Sequence, residues 1–237
     1  MASIFCAISF IKSVFVSSSG KYCTGSAVYR TATNEFAEYK FKAFYMGESS
    51  LIEELTEKTI TMIIGCFAFE DELNVTISQS VSLQIKTLQN EPTIYDLPIA
   101  PAFGIFSAPV QDPSEPHGDS AIFRLKKGVY NSMNGKTTDL SVICKYNPNP
   151  KGHHSNVAEA THRRTIFSVA GELIFVEKSV FVLCEAIEWN YYVMRENSKS
   201  QSCDETEHVK KKRKRDEELA KIAKVFESKN QHQQNKN

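Results

Sequence analysis

Two segments of this chain share one layout, an apolar run with strand character that carries a glycine near its centre. The first is TITMIIGCFAFEDELNVTI, residues 59–77, and the second is TIFSVAGELIFVEKSVFVL, residues 165–183. A strand that bends sharply to close a small barrel accepts glycine where a side chain would collide, or where a bulge needs it. The repeated layout, with Gly65 and Gly171 at corresponding positions, therefore predicts two similar β-units. It also assigns both glycines a structural role rather than a ligand contact.

Strand and turn signals precede and follow the first glycine segment. Runs at residues 7–16, 23–32 and 38–47 have strand character, and in the third of these apolar residues alternate with lysines. Ser50 and Glu53 have capping-box spacing, which predicts a short helix with an apolar face. Residues 81–88 complete the unit, so the predicted order is three strands, one short helix and two strands.

The same order returns in the second half of the chain. Strand-like runs lie at residues 103–110, 120–130 and 137–147, and a short helix capped by Asn156 is predicted within residues 155–163. The second glycine segment and its continuation to residue 193 supply two more strands. The chain is therefore predicted to be mainly all-β, with an ancestral duplication as the source of its two units.

Five strands with one short helix between the third and fourth resemble the oligonucleotide/oligosaccharide-binding (OB) fold. The run YKFKAFYMGESSLIEELTEKTITMIIGCFAFEDELNVTI, residues 39–77, is similar to the core of OB-fold single-stranded DNA-binding proteins. The resemblance covers about residues 3–88 and, more loosely, residues 103–193. It implies two five-stranded barrels, similar in plan to subunits of replication protein A. Because OB barrels serve many roles, the resemblance indicates a fold more than a function.

Composition shifts mark the domain boundaries. Residues 90–121 hold six of the eight prolines, and proline fixes φ and removes a backbone donor. We therefore predict a first OB-like barrel at residues 1–89, a proline-rich linker at 90–101 and a second OB-like barrel at 102–195. The later prolines are expected in a surface loop of the second barrel. Residues 196–237 lack apolar periodicity and are expected to form a disordered charged tail with a short, weakly amphipathic helix.

Charge and cysteine content limit the classes of function. The net charge is zero, but residues 1–195 carry 17 basic and 20 acidic side chains, whereas residues 196–237 carry 11 and 8. A slightly acidic body argues against a strongly basic nucleic-acid surface. The six cysteines form no CxxC pair or zinc spacing, which favours a reducing compartment. The apolar N-terminus lacks a basic leading region and is interrupted by Lys12, so we do not expect a cleaved signal peptide.

OB barrels that hold single strands stack bases on exposed aromatic rings and follow the phosphate backbone with Lys or Arg. The candidates in the first barrel share one pair of neighbouring strands: Arg30, Lys40, Lys42 and Phe44, with Tyr29 beside them. Those in the second barrel are cations and one tyrosine on strand runs and near the short helix: Lys126, Lys127, Lys145, Tyr146, Arg163 and Arg164. Trp189, Tyr191 and Tyr192 are either a further stacking platform or part of an inter-domain contact. The alternative for the lysines and Phe44 is a solvated face and a core side chain.

Signals for catalysis are absent from the sequence. The run GVYNSMNGKT, residues 128–137, resembles a phosphate loop but lacks the buried strand that should precede one. His153, His154 and His162 lack a convincing set of further metal ligands. No nucleophile elbow is present. We expect a protein that is not an enzyme and has no cofactor and no metal site.

The tail contains one cationic block, KKKRKR. Its members are Lys210, Lys211, Lys212, Arg213, Lys214 and Arg215. Six consecutive cations repel one another and stay solvated, available to an acidic groove on an import receptor or to phosphates. The alternative is a charged helix face paired with the acidic residues that follow. The block predicts nuclear import.

Together these features predict a non-enzymatic nuclear protein that binds single-stranded DNA or RNA through two OB-like barrels. The alternative is a protein-protein interaction scaffold whose barrels have lost the ligand groove. A third reading is a secreted protein that acts in the nucleus of another cell, and it depends on the N-terminal segment. No membrane partner is expected.

Overall fold

The computed structural model describes residues 2–45, 50–85, 91–148, 154, 156–163 and 166–190. These residues lie in one compact unit, Met1–Tyr192. The cationic block at 210–215, together with Arg164, Tyr191 and Tyr192, falls outside the described residues.

In the described residues, ten strands form two closed barrels of five strands each. The first barrel consists of β1 (Ser3–Val16), β2 (Tyr22–Ala32), β3 (Glu35–Phe44), β4 (Ile60–Phe69) and β5 (Leu73–Ser82). The second consists of β6 (Phe103–His117), β7 (Ser120–Asn131), β8 (Lys136–Tyr146), β9 (Ile166–Val176) and β10 (Ser179–Asn190). In each barrel the order around the barrel is first, second, third, fifth, fourth and back to the first. The third and fifth strands are parallel, and the other neighbours are antiparallel. This is the OB topology, and it confirms the predicted fold class.

The two glycines lie where a barrel strand bends. The pairing of β4 with β5 shifts register between Ile64 and Gly65, and the pairing of β9 with β10 shifts beside Gly171. A Cβ atom on Gly65 would lie 2.3 Å from the carbonyl oxygen of Thr76, and one on Gly171 would lie 1.9 Å from that of Leu183. Their structural interpretation is therefore supported by close backbone approach at a bulge.

The barrels join through their first strands, and their hydrophobic cores are continuous across this contact. β1 and β6 pair antiparallel, with Phe5 opposite Gly104. Phe67 of the first barrel packs against Phe106 of the second, with ring centroids 6.2 Å apart. Most buried side chains of the two barrels belong to one hydrophobic cluster. The seam between the barrels is thus held by backbone pairing and by aromatic packing.

Residues 50–58 are not helical, in contrast to the sequence-based prediction. Ile52 instead forms an isolated parallel bridge with Ser80, and the carboxylate of Glu53 accepts a hydrogen bond from the Ser82 amide at 2.7 Å. Glu53 is therefore used to hold the end of β5 rather than to cap a helix. In the second barrel the predicted helix is present as α1 (Val157–Thr161), although the side chain of Asn156 makes no capping hydrogen bond.

The described part of the proline-rich stretch packs on the first barrel. Residues 94–96 form a short 3-10 helix, and Leu97 is buried against Val28 and Ile60 on the outside of the first barrel. The later prolines, expected in a surface loop, lie within β6 instead. A register shift between Asp112 and Glu115 leaves Pro113 without a partner residue in β7, so its missing backbone donor costs no ladder hydrogen bond there. Pro109 and Pro116 keep strand partners, Ile166 and Ala121.

Candidate functional site

The outer face of β2 and β3 carries the first group of predicted site residues. Tyr22 lies opposite Phe44, Thr24 opposite Lys42, and Ser26 opposite Lys40. Because side chains alternate along a strand, all six point away from the barrel interior. The intervening residues of both strands are buried. The half of the face that carries these six side chains is open. The half around Val28 is covered by the segment around Leu97.

Tyr22, Lys42 and Phe44 form what we call the aromatic–lysine cluster. The ammonium nitrogen of Lys42 lies 4.7 Å from the ring centroid of Tyr22 and 5.2 Å from that of Phe44. The two ring centroids are 6.0 Å apart, and each aromatic side chain is 36% exposed. No ion pair of Lys42 with an acidic side chain occurs among the described residues. The cluster thus presents two accessible rings beside one cation that is not neutralised by a carboxylate.

A cleft of about 520 Å³ in the seam between the barrels adjoins this cluster. Its lining comes from both barrels: Ser3, Cys66, Thr76, Lys127, Gly128, Val129 and Tyr130. Thr76 connects the two features, because it is the strand partner of Lys42 and also lines the cleft. Its hydroxyl donates to the hydroxyl of Ser132 at 2.7 Å, and Lys42 donates to the Ser132 carbonyl at 3.2 Å. The β7–β8 hairpin is therefore tied to the cluster.

Lys127 supplies a second cation in the cleft. It shares the inward side of β7 with Leu125 and Val129, which brings its side chain into the seam. Its ammonium group donates to the carbonyl of Ala2 and lies 4.6 Å from the ring centroid of Phe106. Burial lowers the pKa of Lys127 from its ordinary value to about 8. The side chain is still mainly protonated at neutral pH.

Tyr130 adds a third exposed ring at the cleft. It lies on β7 opposite Thr137 and is 62% exposed. Tyr130 and Tyr22 were not among the candidates predicted from the sequence. Tyr22 was detectable once β2 was paired with β3, because its register partner is Phe44. Tyr130 was hidden within the run that resembles a phosphate loop, which the structure shows to be the β7–β8 hairpin.

Two predicted residues of the first barrel are engaged in other contacts. The guanidinium of Arg30 donates to the carbonyls of Ala32, Thr33, Tyr95 and Leu97, which ties the linker to the barrel. Lys40 is exposed and forms an ion pair with Glu72 at 2.7 Å. Arg30 therefore has few donors left for a ligand, and Lys40 is partly neutralised. Tyr29, considered beside them, is 1% exposed and lies inside the barrel.

The candidates of the second barrel that the structure describes do not come together into one patch. Lys126 is exposed on β7 and ion-paired with Asp139 at 2.8 Å, and Arg163 is ion-paired with Glu159. Lys145 is exposed on the outer face of β8. Tyr146 is 3% exposed and hydrogen-bonds with Ser114 at 2.7 Å, so it is a core side chain with no ring surface for a base.

The aromatic end of β10 packs within its own barrel. Trp189 stacks on Phe167 with ring centroids 5.5 Å apart and an interplanar angle of 22°.

Within the described ranges, no helix has the length and apolarity that a bilayer crossing requires. In the same residues, no group of three or more His, Cys, Asp and Glu side chains is arranged to hold a metal ion.

Comparison with known proteins finds similarity only at the level of structure. No protein-family model matches the chain, and no curated protein matches it. The wild-type single-stranded DNA binding protein from Thermus aquaticus is similar, with a TM-score of 0.49 and 12% identity over 86% of this chain and 97% of that chain. A deletion mutant of the same protein gives a TM-score of 0.48 and 10% identity over 84% and 98%.

Proposed function

We propose that this chain is a non-enzymatic nuclear protein that binds single-stranded nucleic acid along the seam between its two barrels. The observation that carries the proposal is the aromatic–lysine cluster. Exposed rings beside an un-neutralised cation are what a single strand needs, because each base offers a face for stacking and each phosphate a negative charge. This part of the β2–β3 surface is also the face on which OB folds bind oligonucleotides.

The path of the bound nucleic acid follows from the contact between the aromatic–lysine cluster and the cleft. Bases stack on Tyr22 and Phe44 while a phosphate meets Lys42. The nucleic-acid strand then passes Thr76, whose hydroxyl oxygen can accept a hydrogen bond. It reaches Tyr130 and Lys127 in the cleft. Because few cations line this path, we expect a moderate affinity for single-stranded nucleic acid and a shallow dependence of that affinity on salt. The basic tail adds sequence-independent attraction to phosphates.

A titration of labelled single-stranded DNA and RNA tests the barrels separately from the tail. The full chain and a chain ending at Arg195 are compared at two salt concentrations. The shorter chain retains every described residue and therefore the whole described core. We expect it to bind at low salt, with a smaller salt dependence than the full chain because it lacks the cationic block. Absence of binding by the shorter chain at low salt would show that the barrels are not a nucleic-acid module.

Nuclear import rests on the cationic block at 210–215. Replacing all six side chains by neutral ones should leave a fluorescent fusion in the cytoplasm, because an import receptor reads the positive charge. A matched control replaces cations that are scattered in the tail, Lys221, Lys224 and Lys229, and should remain nuclear. Nuclear accumulation of the first variant would contradict import by this block.

A protein-interaction role is the second candidate, and one surface favours it. The outer face of the joined strands β1, β4 and β6 is apolar. Ile4 lies opposite Ile105, and Cys6 lies between Ile64 and Phe103. Phe103 and Ile105 are 44% and 38% exposed, and contiguous exposed apolar surface of this kind marks interaction sites. If this is the main function, the chain ending at Arg195 binds no oligonucleotide, and Ile105→Asp abolishes protein association seen by sedimentation.

A further inference from the structure

The amide oxygen Oδ1 of Asn74 is buried and has no hydrogen-bond partner among the described residues. The side chain is 7% exposed. Its Nδ2 donates to the carbonyl of Glu72 at 3.2 Å, which fixes the orientation of the amide, since the reversed amide would bring two acceptors together. Buried polar atoms are nearly always paired, because an unpaired one destabilises the fold. Asn74 Oδ1 is therefore a vacant acceptor, suited to a donor from a ligand.

Asn74 lies on the outer face of the first barrel, beside the proposed path of the nucleic acid. Val75, which follows it in β5, is a core side chain, so Asn74 shares the outer face with Thr76. Its strand partner on β3 is Lys40, as Lys42 is the partner of Thr76. At about 3.4 Å per residue, Asn74 is about 7 Å from Thr76 along β5. A base attached to the sugar-phosphate backbone near Thr76 is within reach of it.

The tip of the β7–β8 hairpin, from Ser132 to Asn134, passes over Asn74. At one end of the tip, the Thr76 hydroxyl donates to the Ser132 hydroxyl at 2.7 Å. At the other end, the side-chain amide of Asn134 donates to the carboxylate of Glu70 at 3.2 Å. Glu70 lies in the turn between β4 and β5, so these two contacts are on opposite sides of Asn74. The tip therefore spans the position of the vacant acceptor.

This cover accounts for the burial of outer-face side chains beneath the tip. Ala68, the strand partner of Asn74 on β4, is 2% exposed, and Ser132 in the tip is 5% exposed. The docked tip excludes water from Asn74 Oδ1 without supplying a donor to it. Docking therefore carries the energetic cost of an unpaired buried acceptor, and that cost is relieved when the tip lifts.

We propose that Asn74 distinguishes the bases of a bound single strand by accepting a hydrogen bond from the exocyclic amine of cytosine or adenine, after the hairpin tip is displaced. The inference rests on the proposed nucleic-acid function. Cytosine presents its N4 amine where thymine and uracil present the O4 carbonyl, and adenine presents its N6 amine. An amine donates to the vacant oxygen, whereas a carbonyl in the same place would leave two acceptors facing each other. The site therefore favours cytosine and adenine over thymine and uracil.

The test compares the dissociation constants of oligo(dC) and oligo(dU) for the full chain at pH 7.5. These pyrimidines differ in the group at ring position 4, and the positive tail attracts the phosphates of both. In Asn74→Leu, which has a side chain of similar size but no acceptor, the preference for oligo(dC) over oligo(dU) should fall by about two- to tenfold, the usual effect of one hydrogen bond. An unchanged preference, including a parallel loss of both affinities through a purely structural role of the amide, would overturn the proposal.

A modified base tests the same contact without altering the protein. In an oligonucleotide of 2-pyrimidinone, the base is cytosine without its exocyclic amine. The wild-type chain should bind it about two- to tenfold more weakly than oligo(dC), and Asn74→Leu should bind the two about equally. The control variant is Gln111→Leu, which removes an exposed amide on β6 away from the path and should behave as the wild type. Equal binding of 2-pyrimidinone and cytosine by the wild type would contradict recognition of the amine.

Displacement of the tip is tested by Asn134→Asp. The substitution removes the donor to Glu70 and places two carboxylates side by side, but it keeps the oxygen that accepts from the Lys136 amide at 3.0 Å. The apparent affinity is reduced by the fraction of protein with an open tip, so a loosened tip should tighten oligo(dC) binding by about two- to tenfold. The added negative charge alone would weaken binding. Equal or weaker binding would overturn the displacement of the tip.

The outcomes separate this inference from the function on which it rests. If neither homopolymer binds, the proposed nucleic-acid function itself is wrong. If both bind and Asn74→Leu leaves their relative affinities unchanged, the nucleic-acid function stands and base recognition by Asn74 is wrong.

Discussion

Replacing Gly171 by alanine tests the physical reason for the feature that the two barrels share. The added Cβ would lie 1.9 Å from the carbonyl oxygen of Leu183, whereas real Cβ atoms are essentially never closer than 3.0 Å to such an atom. The β10 backbone must therefore move by more than 1 Å at its bulge. Overpacking of this kind typically costs about 1–3 kcal/mol. Because the obstructing atom belongs to the backbone, we expect a value toward the upper end.

The measurement is the free energy of unfolding from urea titration, for the wild type and for Gly171→Ala. Gly65→Ala, whose Cβ would meet the Thr76 carbonyl at 2.3 Å, should be destabilised as well. The control is Gly128→Ala, an exposed strand glycine whose Cβ would meet only the Thr137 methyl group, at 3.2 Å. That side chain can move, and alanine reduces the entropy of the unfolded chain, so the control should lie within about 1 kcal/mol of the wild type. A Gly171→Ala protein as stable as Gly128→Ala would refute the reasoning.

Three further predictions concern stability. Tyr39→Phe leaves the buried hydroxyl of Ser9 without its partner and should lower the free energy of unfolding by about 1–3 kcal/mol. Tyr29→Phe removes a hydroxyl that has no hydrogen-bond partner among the described residues and should change this free energy less, so equal urea midpoints for the two variants would contradict the reasoning. The lowered pKa of Lys127 means that the unfolded chain binds this proton more tightly than the folded one. The contribution of Lys127 to the free energy of unfolding should therefore rise with pH above about 8. Comparing the unfolding of the wild type and of Lys127→Met at pH 7 and 9.5 measures that contribution. Arg30→Met leaves four carbonyls without a donor and should lower thermal stability more than Lys12→Met does. Lys12→Met removes only an exposed ion pair with Glu38, which is worth about 1 kcal/mol or less. A smaller loss of thermal stability for Arg30→Met would be evidence against the structural role of Arg30.

The barrels were predictable from the sequence because their signals are local. Alternation in β3 and the glycine in each fourth strand follow from side-chain alternation and from backbone crowding at a bulge. The helix predicted at Ser50 was wrong for a non-local reason, since Glu53 is used by the Ser82 amide at the end of β5. The surface loop predicted for the later prolines was wrong, because all three lie in β6. A register shift accommodates Pro113, whereas Pro109 and Pro116 keep strand partners.

The candidate site was only partly predictable, since it depends on which residues meet across strands and barrels. Lys42 and Phe44 were found from alternation within one strand. Tyr22 and Tyr130 required the β2–β3 register and the position of the β7–β8 hairpin. Arg30 and Tyr146 match the residue types that such a site uses, but Arg30 binds backbone carbonyls and Tyr146 faces the core. Burial and hydrogen bonding, which a single sequence does not contain, separate the two sets.

The central claim is that a single strand stacks on the aromatic–lysine cluster, and the dissociation constant of a Phe44→Ala protein tests it most directly. The assay is fluorescence anisotropy with a labelled single-stranded oligonucleotide, using the chain that ends at Arg195 so that the tail makes no contribution. Loss of one base–aromatic stack is worth about 1–3 kcal/mol, so the dissociation constant should rise by about 5- to 150-fold. Tyr95→Ala, which removes a 66% exposed ring on the linker, should leave it unchanged. Equal dissociation constants for Phe44→Ala and the wild type would contradict the account.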